Sequence, residues 1–318
     1  MFLNLLVVFV LIALIVFFAW LVRRASRARF ALLKWMGRVF FGLLGLVAAA
    51  LTALIVIGLV RLNLAAYSYP APDLKVDMAS IQVQRGEQLA HACIGCHSSS
   101  GQFPLDGSKE DFMAESGLPL GSMYAPNLTP AGPLKTWSDA EILQAVREGV
   151  DQNGLTLMIM PSKFFRSLSD GDAAALVAYL RSQPPVERAL PRRSLSPLAV
   201  ALTGAGMIPT AAQPPLSGPV DSPQPGTPDY GRYLATSLGC ADCHGADFKG
   251  LTGDQGPNGP NLVAIAAKWK QADFVKFFRT GSDPTGRLVG ESMPWKIYGQ
   301  TFSDNDLADI YAFLLGIK

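Results

Sequence analysis

Hydrophobic and polar positions divide this chain of 318 residues into three regimes. The first is continuous: Phe2–Val22 and Val39–Val60 are apolar runs without a charge. Each is long enough to cross a hydrocarbon core of about 30 Å as a helix. The second is periodic. Leu307, Ile310, Tyr311 and Leu314 recur at i, i+3, i+4 and i+7, one apolar helical face, and Leu176, Val177 and Leu180 take equivalent places in an earlier segment. Ser169 and Ser303 suit the N-caps of these two helices, with Asp172 and Asp306 three residues on as a short capping box. Ser138 and Glu141 open a further helix in the same way. The third regime has no period. Residues 184–229 hold eleven of the 23 prolines and read as extended linker that covers surface rather than forming a core. One short run, "LMIMP" at 157–161, fits a buried strand or a piece of helix equally well.

Phe2–Val22 has no basic start and no clear cleavage site, so two retained spans fit better than a secretory signal. The segment between the runs carries Arg23, Arg24, Arg27, Arg29, Lys34 and Arg38 and no acid. Positive loops stay in the cytoplasm, which puts the N-terminus and everything after Arg61 on the far side, the periplasm of a bacterium. A nucleic-acid patch is excluded because apolar spans flank these residues on both sides. Residues 1–61 hold seven of the 27 Lys and Arg and none of the 25 acids. The remainder therefore carries 20 basic against 25 acidic residues, a net −5, which argues against polyanion binding and permits a basic partner.

Four cysteines form two pairs, each followed by histidine: "CIGCH" (Cys93, Cys96, His97) and "CADCH" (Cys240, Cys243, His244). The pairs lie too far apart in sequence for a typical four-cysteine zinc site, and a redox dithiol gives no reason for the histidines. Covalent attachment of a c-type haem explains both features. Two intervening residues let one helical turn present both sulfurs to the porphyrin edge, and the next residue supplies an axial imidazole. Two of the chain's three histidines sit in these motifs, so two haems are expected.

The motifs open an internal repeat. Gly86 and Leu89 precede the first pair as Gly231 and Leu234 precede the second. After them come Pro126-Asn127-Leu128 and Pro260-Asn261-Leu262, then Trp137 and Trp269, then Met160-Pro161 and Met293-Pro294. With the "YAPNLTP" stretch and the closing "LSDGDAAALVAYLRSQPPV", these residues resemble dihaem class I cytochromes c. The first half is most similar to haem domains in the cytochrome subunits of membrane-bound alcohol and gluconate dehydrogenases. The resemblance covers about residues 80–185 and 228–318. It implies small all-α domains whose first and last helices cross at Gly86 or Gly231, with His and Met as axial ligands. Those subunits carry three haem domains, whereas this chain has two behind two N-terminal helices.

The organisation expected is all-α: a membrane anchor of two transmembrane helices over 1–61, two tandem cytochrome c domains over 80–183 and 230–318, and the Pro-rich linker over 184–229. His97 and His244 are the expected proximal iron ligands. Met293, the only methionine after Cys243, is the expected sixth ligand of the second haem, held on an extended backbone by Pro294. In the first half Met113, Met123, Met158 and Met160 compete. Side-chain parity does not separate Met158 from Met160 on an extended run; the repeat points to Met160. The resemblance implies that Tyr124, Asn127, Trp137, Asn261 and Trp269 meet haem propionates or ring edges, although core or turn roles suit them equally. His91 is either an ordinary helix residue or an alternative ligand or modulator of the haem.

The chain has no Gly-rich dinucleotide turn and no nucleophile elbow. The expected function is single-electron transfer at the periplasmic face of the bacterial inner membrane. The partners would be the lipid bilayer and redox proteins of a respiratory complex: a dehydrogenase, a quinol-oxidising complex or a terminal oxidase. The competing reading is a dihaem enzyme, such as a peroxidase or thiosulfate dehydrogenase, which needs an exchangeable sixth position on one haem.

Overall fold

The computed structural model describes residues 2–70, 72, 74–251, 258–290 and 292–317. The two uncharged runs form α1 (Phe2–Ala25) and α2 (Ala31–Asn63), paired as an antiparallel hairpin in which Gly37 approaches Ala25 and Gly45 approaches Phe18. Both have the length and hydropathy of membrane spans. At 1.5 Å per residue α2 is about 50 Å long, so it outreaches a hydrocarbon core of about 30 Å.

The first half of the remaining chain is α3 (Ser80–Ala90), a 3₁₀ turn over His91–Cys93, α4 (Ile94–His97), α5 (Asp139–Glu148), α6 (Ser162–Phe165) and α7 (Asp170–Ser182). After α8 (Pro197–Gly204) the second half follows as α9 (Pro228–Ser237), α10 (Cys240–His244), α11 (Leu262–Lys268), α12 (Gln271–Thr280), α13 (Trp295–Thr301) and α14 (Asp304–Gly316). Strands are confined to β1 (Gly121–Ser122) and β2 (Ser194–Leu195), antiparallel with Gly121 opposite Leu195, among the described residues.

Each half closes where its first and last helices cross. A Cβ on Gly86 would lie 1.9 Å from the Ala175 carbonyl oxygen, and one on Gly231 would lie 2.0 Å from that of Asp309. Only glycine lets α3 lie on α7, and α9 on α14, at that separation. The apolar faces read from the sequence meet there: Leu89 against Leu176, Val177 and Leu180, and Leu234 against Leu307, Ile310 and Leu314, all buried. Burying each such side chain stabilises by about 1.5–3 kcal/mol. The two halves share one core, which also takes in Cys93, Ile94, Phe165 and Phe248.

Capping follows the sequence with one exception. The Ser138–Glu141 and Ser303–Asp306 boxes are closed in both directions. Ser169 caps α7 by accepting from the Asp172 N–H, but Asp172 does not return the bond. Its carboxylate instead takes Arg85 Nε and Nη2, both at 2.8 Å, and the Tyr233 hydroxyl at 2.7 Å. Tyr233, from the other half, accepts the Ser169 N–H in its place at 3.0 Å.

The Pro-rich stretch also differs from expectation. Most of it is extended, yet Pro197–Gly204 is a helix capped by Ser196, and its Ala199, Val200 and Ala201 are buried. Together with Ile55 and Leu62 of α2 and Met113, Leu120, Met123 and Met158, they make a second apolar cluster. A short apolar run bounded by prolines reads as linker by composition; burial against α2 is what makes it helical.

Candidate haem sites

Both Cys-x-x-Cys-His motifs are single helical turns whose histidines are held by the same backbone frame. His97 Nδ1 donates to the Pro126 carbonyl at 2.9 Å, and His244 Nδ1 donates to that of Pro260 at 2.8 Å. The Gly107 N–H donates to the His97 carbonyl and the Gly250 N–H to the His244 carbonyl, each at 2.8 Å. These glycines sit at φ +97° and +93°, a left-handed conformation that favours glycine. Leu128 N–H to Leu105 and Leu262 N–H to Phe248 complete the correspondence. In the second half Gly259 also lies against the histidine: a Cβ there would be 2.6 Å from His244 Nδ1.

This frame settles the tautomer. With Nδ1–H spent on a carbonyl, Nε2 carries the lone pair that a metal takes. Both rings are buried, and burial lowers their pKa values despite the opposing effect of the proline carbonyls, so both imidazoles are neutral. Burial pushes the Cys93 and Cys240 thiols up to about 12. Neither is the low-pKa thiolate that a redox dithiol requires.

The competing methionines fall in two different apolar clusters. Met160 is half-buried against the core shared by the two halves, and so is Met293. Met113, Met123 and Met158 all belong to the second cluster, beside α2 and α8. Met158 and Met160 would share a face on extended chain, but Ile159 between them sits at φ +63° and breaks that alternation. The Ile159 N–H donates to the Pro209 carbonyl, and Met158 bridges Thr210. Pro161 and Pro294 then start α6 and α13 with nearly the same backbone, φ −82°, ψ 45° and φ −78°, ψ 53°.

A matched hairpin leads into each methionine, and the sequence reading missed it. Gly149 and Gly281 end α5 and α12 in the left-handed region, at φ +69° and +67°. Bridges Val150–Thr156 and Ser282–Leu288 follow. Asp151 and Asp283 accept backbone N–H groups across the two turns. The signal was present as G-x-D-x-x-G, at 149–154 and again at 281–286.

The other named residues have these surroundings. Asn127 donates to the Val186 carbonyl at 2.8 Å and accepts from Thr129, while Asn261 caps α11 by accepting from the Ala264 N–H. One motif position thus braces the linker in one half and starts a helix in the other. Trp137 and Trp269 are half-buried against the shared core, their carbonyls taken by Arg181 and Tyr311. Tyr124 is half-buried between Met123 and Ala125, which are both buried. His91 Nδ1 donates to the Glu87 carbonyl, and its ring lies edge-on to Phe103 at 4.7 Å, the ordinary helix role.

The halves meet through their functional loops. After Met160-Pro161, Lys163 pairs with Asp242 inside the second Cys-x-x-Cys at 2.7 Å, and Phe164 packs on Gly239 beside it. After Met293-Pro294, Ile297 reaches Gly95 inside the first Cys-x-x-Cys. Each Met-Pro loop thus touches the Cys-x-x-Cys turn of the other half.

Known proteins agree with this geometry. The cytochrome c family matches residues 83–184 and 229–318, more than half of the chain. The chain is similar to a nicotinate dehydrogenase subunit of Pseudomonas putida, with 28% identity over 76% of this chain and 22% of that protein. It is also similar to the cytochrome c subunit of the quinone alcohol dehydrogenase of Gluconacetobacter polyoxogenes, with 28% identity over 75% of this chain and 56% of that subunit. A third relative is the fructose dehydrogenase cytochrome subunit of Gluconobacter japonicus, with 26% identity over 74% and 52%. The chain spans about half the length of the two cytochrome subunits and about a fifth of the nicotinate enzyme's subunit. Two all-α halves, each with a thiol pair and a neutral histidine fixed by a proline carbonyl, define a dihaem electron carrier. The chain belongs to the cytochrome c family, and its cysteine pairs fit two covalently attached c-type haems.

Proposed function

We propose that this protein is a membrane-anchored dihaem cytochrome c that passes single electrons in the periplasm, as a subunit or partner of a respiratory dehydrogenase. The observation that carries this reading is the duplicated frame: His97 on Pro126 and His244 on Pro260, each with its own Met-Pro loop against the shared core. His97 with Met160, and His244 with Met293, are the residues that would hold the two haem irons. Haem iron supplies the one-electron couple, and thioether ligation raises its potential relative to bis-histidine. The protein's own work is to hold each imidazole in one tautomer, keep water from it by burial, and fix the methionine on a stiff loop. The reciprocal contacts Lys163–Asp242 and Ile297–Gly95 hold the two attachment turns in one rigid arrangement, as electron exchange within the chain needs.

The anchor reading is supported by the two apolar helices and the basic turn between them, which by the positive-inside rule would face the cytoplasm and leave the haem domains on the other side. The relatives' names make a dehydrogenase the proposed electron donor. Two measurements test the proposal. Haemochrome analysis should give two haems per chain, both ferric low-spin with methionine–iron charge-transfer absorption. A high-spin haem that binds peroxide would overturn the carrier reading in favour of a dihaem enzyme. Extraction should require detergent; release by salt alone would overturn the anchor.

A further inference from the structure

Between Arg193 and Asp221 the chain carries no charged side chain, and α8 lies within this stretch. It packs antiparallel on the end of α2: a Cβ on Gly58 would lie 2.0 Å from the Val200 carbonyl oxygen, and one on Gly204 would lie 1.9 Å from that of Leu54. Both approaches fall inside the apolar run Val39–Val60. From Leu54 to Val60 is about 10 Å of helix at 1.5 Å per residue. On the other side the Asn4 amide donates to the Leu195 carbonyl at 3.2 Å, and Val7, Val8 and Leu11 of α1 pack against the same cluster. The short helix is therefore wedged against the far ends of both long ones.

Most of the backbone groups at its two ends are paired, as a medium poor in water favours. Ser196 Oγ accepts the Ala199 N–H, and Pro197 has none to satisfy. At the other end the Ala201 carbonyl accepts from Ala205 and the Leu202 carbonyl from Met207. The Thr203 carbonyl accepts from Gly206 and from Arg61 Nη1 at 3.0 Å, an arginine reaching over from α2. What remains outward is apolar: Leu198 is 41% exposed and Met207, in the turn that follows, 72%. This face continues the uncovered apolar surface of α2, and Arg192 and Arg193 precede it.

We propose that α8 and its turn Ala205–Ile208 enter the outer leaflet of the bilayer beside the spans. The lipid acyl chains cover Leu198 and Met207, and Arg192 and Arg193 sit at the headgroup phosphates. The proposal rests on α1 and α2 being spans, and its test separates the two ideas. The full holoprotein, its four native cysteines held in thioether linkage, is given one new cysteine by Met207→Cys, Leu46→Cys or Gly218→Cys. Each variant is nitroxide-labelled in phosphatidylethanolamine–phosphatidylglycerol vesicles, after its two-haem spectrum has been checked. Collision with oxygen is then compared with collision with a water-soluble nickel chelate. Leu46→Cys reports mid-span and Gly218→Cys the exposed linker. Expected is an oxygen-to-chelate ratio at Met207→Cys several-fold above that at Gly218→Cys, approaching Leu46→Cys. A lipid-like Leu46→Cys with a water-like Met207→Cys would overturn the wedge and leave the anchor standing. A water-like signal at both would overturn both. A label at Met207→Cys shielded from both collision partners would overturn the lipid assignment in favour of protein contact.

Discussion

The two haem halves share a backbone frame and differ in what surrounds it. In the first, the frame is braced from outside: Arg188 donates to the carbonyls of Asp106, Gly107 and Ser108, and Asn127 holds Val186. The linker wraps the Pro-Asn-Leu loop, and the segment between the motif and that loop docks on α2 through Met113, Leu120 and Met123. In the second half the equivalent asparagine starts α11, and Gly259 lies directly on the histidine. The same local frame is thus built once braced by the linker and α2, and once without that bracing, against the core the halves share. What the two halves have in common is the chemistry; what differs is mounting.

Three experiments sharpen that contrast. The largest effect is expected at the ligand loops. Met160→Leu and Met293→Leu should each convert one of the two haems from low to high spin with loss of its charge-transfer band. Met158→Leu should leave both spectra intact and cost less than about 1.5 kcal/mol, the usual range for a volume-conserving swap. A spectral change with Met158→Leu alone would reverse the assignment.

Next comes the acid three residues into each closing helix. Burial works against the charge of Arg85, and the hydrogen bonds it donates to Asp172, with that carboxylate's charge, more than offset it, so its pKa is raised. Asp172→Asn breaks this pair, whose side chains are only 21% and 12% exposed, and also the bond to Tyr233 across the halves. A loss of about 3 kcal/mol in denaturant unfolding is expected. Asp306→Asn removes only one arm of a capping box and should cost about 1 kcal/mol. Equal losses would deny the cross-half role of Asp172.

The smallest effect is on pH. The Thr285 hydroxyl, together with the Arg287 and Thr285 N–H groups, holds the half-buried Asp283 below the usual carboxylate range. A depressed carboxylate stabilises the fold fully above its unfolded value of 3.8, and that contribution is lost as pH falls through the lower folded value. Acid unfolding of the second half should therefore begin at higher pH in Asp283→Asn, because the variant lacks this contribution at neutral pH as well. An unchanged acid profile would remove the turn from the account.

Much of this was legible because it is local. Apolar runs, Cys-x-x-Cys-His spacing and serine caps each announce themselves within a few residues, while the crossings at Gly86 and Gly231 were expected from the family resemblance. The unread parts depend on contacts between distant segments. Asp172 looks like a capping residue until Tyr233 arrives from the other half. Ser196–Gly204 looks like linker until α2 supplies an apolar wall. Asn127 and Asn261 sit at one motif position and do different work, which no spacing reveals.

Ile159 has a consequence for the Met-Pro loop of the first half. A β-branched residue held at φ +63° costs roughly 1–3 kcal/mol of strain. That conformation is pinned by Pro209, and its neighbour Met158 by Thr210, just beyond the turn that follows α8. The Met-Pro loop of the first half is therefore a sprung catch whose latch lies just beyond α8. The Met293 loop has no such linkage to α2 and α8 among the described residues, so a displacement of that cluster would load one Met-Pro loop and spare the other.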